Sequence, residues 1–243
     1  MSKKISLMQF LMRTGKFEKV YSCIEAIRHS KVMIDNKKIT NPNYFFNPKK
    51  SLVKFENRTL KRMPKLYFIM NKPAGYLSQK SENEKTIYDL LKNLNLPKEL
   101  AKSLFAVGRL DKETEGLIIL TNDGELSNTI LNPQNNIVKK YFAVVEKPVD
   151  SNKIRILERG IGISIDNQNY KTKPCKIKVV DEKEVYISIS EGKKRQIRKM
   201  FEVIGNKVVY LKRVSIGGLQ LGNLKAGEIK QVTKEEILEK LEL

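Results

Sequence analysis

One carboxylate stands out by its surroundings. Between an apolar run, Leu104 to Val107, and a second one, Leu117 to Thr121, lies a charged loop carrying Arg109, Asp111, Lys112, Glu113 and Glu115. The flanks are β-branched and leucine-rich, which reads as two buried strands, and Asn122-Asp123-Gly124 closes the stretch with turn chemistry. In extended backbone, residues two apart point the same way, so Arg109 and Asp111 can address one space. A carboxylate held by strand ends in a basic protein can serve as a nucleophile or as a base. On spacing alone, a merely solvated loop would look the same.

The other residue types narrow the chemistry. The 243 residues include two cysteines, Cys23 and Cys175, and one histidine, His29. No Cys/His zinc spacing is present, a disulfide framework is out, and Ser-His-Asp or Cys-His catalysis has no support. Neither a P-loop nor a G-x-G-x-x-G fingerprint occurs. Enzyme chemistry here would rest on carboxylate, Tyr, Lys and Arg. Lys and Arg number 47 against 27 Asp and Glu, a formal charge of +20, which favours a polyanionic partner such as RNA, DNA or a ribosome. No apolar run approaches the ~20 residues that span a bilayer. The N-terminus is basic then apolar, without a clean apolar core or small-residue cleavage site, so a cytosolic, membrane-free protein is expected.

The elements that must position these residues follow in order. Ile5 to Arg13 reads as a helix closed by Thr14-Gly15, and Val20, Cys23, Ile24 and Ile27 mark one face of a second. Lys16, Lys19, Arg28, His29 and Lys31 lie at its ends or off that face. A strand, Val32 to Ile34, meets a turn at Asp35 to Lys38, Ile39 starts the return, and Leu52 to Phe55 adds another strand. The polar, basic stretch Asn57 to Pro64 reads as a boundary, giving domains of 1–60 and 65–243. Tyr67 to Asn71 reads as a strand running into the Lys72-Pro73-Ala74-Gly75-Tyr76 turn, with Lys72 at its mouth. Lys72 could contact a phosphate, steady the loop that bears Asp111, or be only a turn lysine.

Further on, Thr86-x-x-Asp89 opens a short helix, and Glu125 to Leu131 forms one stopped by Asn132-Pro133. Lys139 to Val145 reads as a strand with Tyr141 near its start. Ser151 to Arg159 is helical, and Lys176 to Val180 with Val185 to Ser190 form a hairpin. In the basic stretch from Glu191 to Phe201, Ile197, Met200, Phe201 and Ile204 have helical spacing. Arg195 and Arg198 then share another face, either a phosphate-binding or a solvated one. Val208 to Leu211 is a strand followed by Lys212-Arg213, and Thr233-x-x-Glu236 caps a last helix.

Gly108-Arg109-Leu110-Asp111, Thr114-x-Gly116-Leu117 and Asn122-Asp123-Gly124 together resemble the catalytic motif of pseudouridine synthases. More narrowly, they are similar to the RsuA/RluB/RluE/RluF branch that modifies ribosomal RNA. Lys72-Pro73-Ala74-Gly75-Tyr76 is similar to the family's first motif. Glu191-Gly192-x-x-x-Gln196-Ile197-Arg198-x-Met200-Phe201, followed by Gly205-x-x-Val208 and Leu211-x-Arg213, resembles its last. The N-terminal helices and hairpin resemble an alpha-L RNA-binding domain, with Glu18-Lys19 where the family has Ser-Arg and Asp35-Asn36 where it has Asn-Gly.

The resemblance implies an α+β protein: a mixed α/β catalytic domain around a central antiparallel sheet, preceded by the small alpha-L domain. It implies isomerisation of a uridine in ribosomal RNA, with no cofactor and no metal, by a protein expected to be monomeric. Asp111 would attack ribose or base, or abstract a ribose proton. Arg198 would keep it ionised through a bidentate pair. Tyr141 would stack on the uracil and help move its C5 proton, while Leu110 and Ile197 wall off water. Arg109 would enter the RNA helix or fill the space left by the target base, which must be flipped or unpaired. Lys72, Arg195, Lys19 and Lys31 are the further RNA-binding candidates. Two other readings compete: a non-catalytic RNA-binding or ribosome-assembly protein, and a metal-dependent nuclease using Asp111, Glu113 and Glu115.

Overall fold

The structure, a computed structural model, describes residues 4–17 and 19–243. The chain divides into two compact units, Met1–Lys65 with Leu96–Ser103, and Leu66–Asn95 with Leu104–Leu243. The break after Lys65 follows the polar stretch that ends at Pro64, whereas Leu96–Ser103 groups with the N-terminal unit rather than with the residues around it in sequence.

In the N-terminal unit, Ile5–Ser6 (β1) leads into Leu7–Met12 (α1), and Val20–Arg28 (α2) follows. Ser6 ends the strand by capping the helix: its hydroxyl accepts from the Gln9 N–H and the Gln9 side chain accepts from the Ser6 N–H. Helix α2 buries Cys23, Ala26 and Ile27, while Val20, expected on that face, is its exposed first residue. Glu18 lies outside the described residues. Strands Val32–Ile34 (β2), Lys37–Lys38 (β3), Phe45–Phe46 (β4), Val53–Phe55 (β5) and Arg58–Thr59 (β6) follow. The β2–β3 turn is shorter than the sequence suggested. Asp35 and Asn36 have φ of 49° and 65°, the doubly left-handed turn that matches strand twist, so pairing resumes at Lys37.

The larger unit starts with Tyr67–Lys72 (β7), Ile87–Leu90 (α3) and, after Lys98–Ser103 (α4) of the first unit, Phe105–Val107 (β8) and Glu115–Thr121 (β9). Gly124–Leu131 (α5), Lys139–Val145 (β10), Ser151–Glu158 (α6), Gly162–Ile165 (β11), Gln168–Lys171 (β12), Lys176–Asp181 (β13) and Glu184–Ile189 (β14) come next. Gln196–Val203 (α7), Val208–Ile216 (β15), Leu219–Gln220 (β16), Ile229–Gln231 (β17) and Lys234–Leu241 (α8) complete it. A nine-stranded sheet runs in the order β13-β14-β10-β15-β9-β7-β17, with β16 on β15 and β8 on β9.

The expected central antiparallel sheet is correct at every pairing but one, because β9 and β15 run parallel. At that seam Gly116 has φ of +108°, and a Cβ there would lie 2.2 Å from the Arg213 carbonyl oxygen. The motif glycine is thus required by close approach of two strands as well as by its dihedral. Below the sheet, Leu117, Ile119, Leu126, Ile130, Ile237 and Leu241 share one apolar core with their neighbours, which fixes the charged loop between β8 and β9 from beneath.

Candidate active site

A cavity of about 680 Å³ opens in the larger unit, and Arg109, Leu110, Asp111, Tyr141, Arg195 and Ile197 all line it. Six side chains selected from sequence therefore meet at one site. Arg198 and Lys72 stand behind its walls, and Lys19 and Lys31 belong to the N-terminal unit.

The loop that carries Asp111 is fastened from below. The Ser78 hydroxyl donates to the Leu110 carbonyl at 2.8 Å and accepts the Leu110 N–H at 3.0 Å, so the residue before Asp111 is held by both of its backbone groups. The Thr114 N–H donates to the Asp111 carbonyl at 3.0 Å, and the Gly75 N–H to the Lys112 carbonyl at 2.8 Å. Asp111 itself is half-buried, while Arg109 is exposed at the mouth.

Of the roles the sequence left open for Lys72, the contacts agree with steadying the Asp111 loop and not with phosphate binding. Lys72 is the last residue of β7 and fully buried, so its ammonium is not available to an RNA phosphate. Its Nζ donates to the carbonyls of Pro73 (3.0 Å), Lys112 (3.2 Å) and Thr114 (2.8 Å). Three donors meet three acceptors, which ties the Asp111 loop to the sheet. Burial pushes the ammonium down to about 8, against the pull of Glu115, Asp111 and Glu113, which favour its charge.

The facing wall comes from β10, β14 and β15. Tyr141 is buried, and its neighbours across the sheet are Ile187 and Arg213. Arg213 is buried as well; its Nε donates to the Leu117 carbonyl at 2.7 Å and its Nη2 has no protein partner. Lys139 lines the same wall, and burial lowers its pKa, Arg213 adding to the effect and Glu191 opposing it.

Two expectations about the basic stretch need correction. Arg195 is not on the helix face with Arg198: it precedes α7 with φ of 53°, and its Nη1 lies 2.9 Å from Glu113 Oε2. Against the burial that raises it, a backbone N–H and Arg195 hold the Glu113 carboxyl below its ordinary range. Arg198 does not form a bidentate pair with Asp111. Its guanidinium is buried, Nη1 donates to the Val208 carbonyl at 2.7 Å, and Nε has no protein partner. Burial and Arg195 weigh against its charge, while Glu113 and Asp111 favour it. Lys31 lies 3.4 Å from Glu56, both well exposed, and Lys19 is exposed at the start of α2.

The donors for a metal-dependent nuclease do not converge. Glu113 is engaged by Arg195, and Glu115 accepts from the Tyr210 hydroxyl at 2.8 Å. Among the described residues no group of three or more His, Cys, Asp or Glu could hold an ion. No helix of the described residues is long and apolar enough to cross a membrane. Ser78 and Lys139 support or line the site without having been singled out, and Arg213, which closes the last motif, has no role assigned from sequence; for Ser78, partnered with a residue 32 positions away, the sequence holds no local signal.

Residues 66–203 match the family model for RNA pseudouridylate synthase. An uncharacterized RNA pseudouridine synthase of Bacillus subtilis is 36% identical over 217 residues, spanning 87% of this chain and 88% of the relative. The ribosomal small subunit pseudouridine synthase A of Salmonella typhimurium is 33% identical, over 87% of this chain and 89% of its own. The ribosomal large subunit pseudouridine synthase B of Bacillus subtilis is likewise 33% identical, over 88% and 86%. A crystal structure of a pseudouridylate synthase superposes with a TM-score of 0.68 at 32% identity, over 98% of this chain and 99% of the other. Agreement at this level along nearly the whole chain, including the loop that presents Asp111 to the cavity, means that the chain belongs to the RNA pseudouridine synthase family.

Proposed function

We propose that this enzyme isomerises a uridine of ribosomal RNA to pseudouridine, with Asp111 as the catalytic carboxylate. The observation that carries the reading is Asp111 itself: a half-buried carboxylate on a fastened loop, lining the same cavity as Tyr141, in a chain of net charge +20. Both small-subunit and large-subunit ribosomal enzymes are similar to this chain, which supports ribosomal RNA as the substrate class and the cytoplasm as its compartment.

In the reaction the bond from ribose C1′ to uracil N1 breaks, the base turns, and C1′ bonds to C5. The C5 proton leaves and N1 gains one, so nothing is consumed. A carboxylate serves this chemistry best when ionised and shielded from water. Leu110 and Ile197 make the apolar wall beside it. Tyr141 offers a flat ring for the uracil to lie against and a hydroxyl near the departing proton. The target must leave its stack to enter, and Arg109, exposed at the mouth, fills the gap it leaves. Arg195 meets phosphate at the rim, and the N-terminal unit, an alpha-L type RNA-binding domain, adds Lys19 and Lys31.

The test is tritium release from ribosomal RNA labelled at uracil C5, isolated from cells that lack the gene. Wild type should release label, and Asp111→Asn should be slower by at least about 10³-fold, the upper range for loss of an acid–base group. Release by the variant at the wild-type rate would contradict the reading.

A further inference from the structure

The hairpin formed by β11 and β12 is a separate two-stranded sheet, unpaired with the central one. Its turn, Asp166-Asn167, repeats the doubly left-handed geometry of Asp35-Asn36, with φ of 48° and 64°. The hairpin borders the cavity through Tyr170; β11 packs against α7 and buries Ile163, and among its polar ties Glu191, in the loop before α7, makes the most contacts. Glu191 Oε2 accepts from the Tyr170 hydroxyl at 2.5 Å. Its Oε1 accepts from the Lys173 backbone N–H at 3.0 Å and from Gln196 Nε2 at 2.6 Å. Gln196, buried as the first residue of α7, returns the contact by accepting the Lys193 N–H at 3.0 Å. The Lys193 ammonium lies 4.8 Å from the centre of the Tyr170 ring.

We infer that Glu191 is a positioning residue for the isomerisation: it locks the β11–β12 hairpin to the first turn of α7 and thereby fixes how Ile197 addresses the cavity. The inference rests on the catalytic site proposed above. All three partners donate, so an acceptor-only carboxylate fits the junction with no group left over. One carboxylate joins a hairpin strand, the segment just after it and the helix. Two other polar ties, Lys194 to Asp166 at 2.6 Å and Lys199 to the Ser164 carbonyl at 2.5 Å, are exposed and weak in solvent. The Tyr170 hydroxyl is held protonated, its pKa pushed up to about 12 by the hydrogen bond to Glu191 and by burial. It remains a donor throughout the working range.

The substitution that separates geometry from charge is Glu191→Gln. Its amide oxygen can accept from Lys173 and Gln196, and its amide nitrogen can donate to the Tyr170 oxygen, so the junction survives without the charge. Glu191→Ala removes every contact. In the tritium-release assay, Glu191→Ala should lower kcat by about 10- to 100-fold with little change in KM, the cost of slight misplacement of reacting groups. Glu191→Gln should stay within roughly threefold of wild type. Tyr170→Phe, which deletes one donor and leaves the fold intact, should fall between them in kcat and speed amide hydrogen exchange in residues 162–171.

An alanine variant with wild-type turnover, a loss confined to KM, or a glutamine variant as slow as alanine would each overturn the inference. Should the alanine variant not fold, wild-type kcat and exchange in Tyr170→Phe would do the same. Asp111→Asn is run alongside: if it is active, the site itself is misassigned, whereas if it is dead and the Glu191 variants are normal, only this inference fails.

Discussion

Two segments border the cavity and are held there by opposite means. The Asp111 loop is fastened by buried groups acting on its backbone: Lys72 with the carbonyls of Lys112 and Thr114, and Ser78 with both the N–H and the carbonyl of Leu110. The β11–β12 hairpin makes no strand pairing outside itself; it buries Ile163 where β11 packs against α7, and its other ties are polar and charged side chains, several of them in contact with water. A hydrogen bond sealed from solvent is costly to break because the groups left behind cannot be rehydrated, whereas an exposed one exchanges for water at little cost. Asp111 therefore rides on the side of the cavity whose polar ties are buried, and the hairpin lies on the side whose polar ties are partly exposed.

The contrast is broken most severely at the β9–β15 seam beneath the loop. Gly116→Ala puts a methyl against the Arg213 backbone at a dihedral alanine resists, and should cost about 4 kcal/mol or more, read as a collapse of the urea midpoint.

Lys72→Met comes next, because it strips the Thr114 carbonyl of its buried donor and unties Lys112 and Pro73 from the same ammonium, and it should lower kcat about tenfold. Its stability effect depends on pH with a definite sign. The folded value of about 8 lies below the unfolded value of about 10.4, so the charge is a cost carried in full below pH 8 and relieved as pH rises between the two. Wild type should accordingly gain on the variant by roughly 2–3 kcal/mol from pH 7 to 10 in urea titrations. A gap that stays flat or narrows would mean that Lys72 is not buried as a cation.

Ser78→Ala removes the two-way contact with Leu110 and should cost about 1–3 kcal/mol in the urea titration, with a several-fold drop in tritium release. The smallest effect belongs to the partly exposed side. Arg195→Gly relieves a left-handed backbone and leaves the melting temperature unchanged or slightly higher. Its RNA affinity should fall, and the slope of log affinity against log salt should shrink by a little under one, as for one lost phosphate contact.

Much of this site was legible because its strands carry local signals. The alternation around Tyr141, the apolar runs flanking Asp111 and the turn residues after Thr121 each declare their element within a few positions. What sequence did not disclose depends on where side chains go once distant segments meet. Lys72 reads as the mouth of a turn, yet the strand carries it inward to a loop 40 residues away. Arg195 reads as a helix residue three before Arg198, yet the helix starts one residue later and Arg195 turns back to Glu113. The bidentate Asp111–Arg198 pair is chemically reasonable, but the Val208 carbonyl competes for the same guanidinium from a strand that packs behind it. The parallel seam is invisible for the same reason: pairing direction is decided by the crossover and not by the composition of either strand.

The central claim is that Asp111 makes one pseudouridine in ribosomal RNA, and carbodiimide-blocked reverse transcription of total RNA from cells with and without the gene tests it most directly. A stop in ribosomal RNA is expected that vanishes with the gene, returns with wild type, and fails to return with Asp111→Asn. A full pseudouridine profile in the deletion strain, or a stop restored by Asp111→Asn, would contradict it.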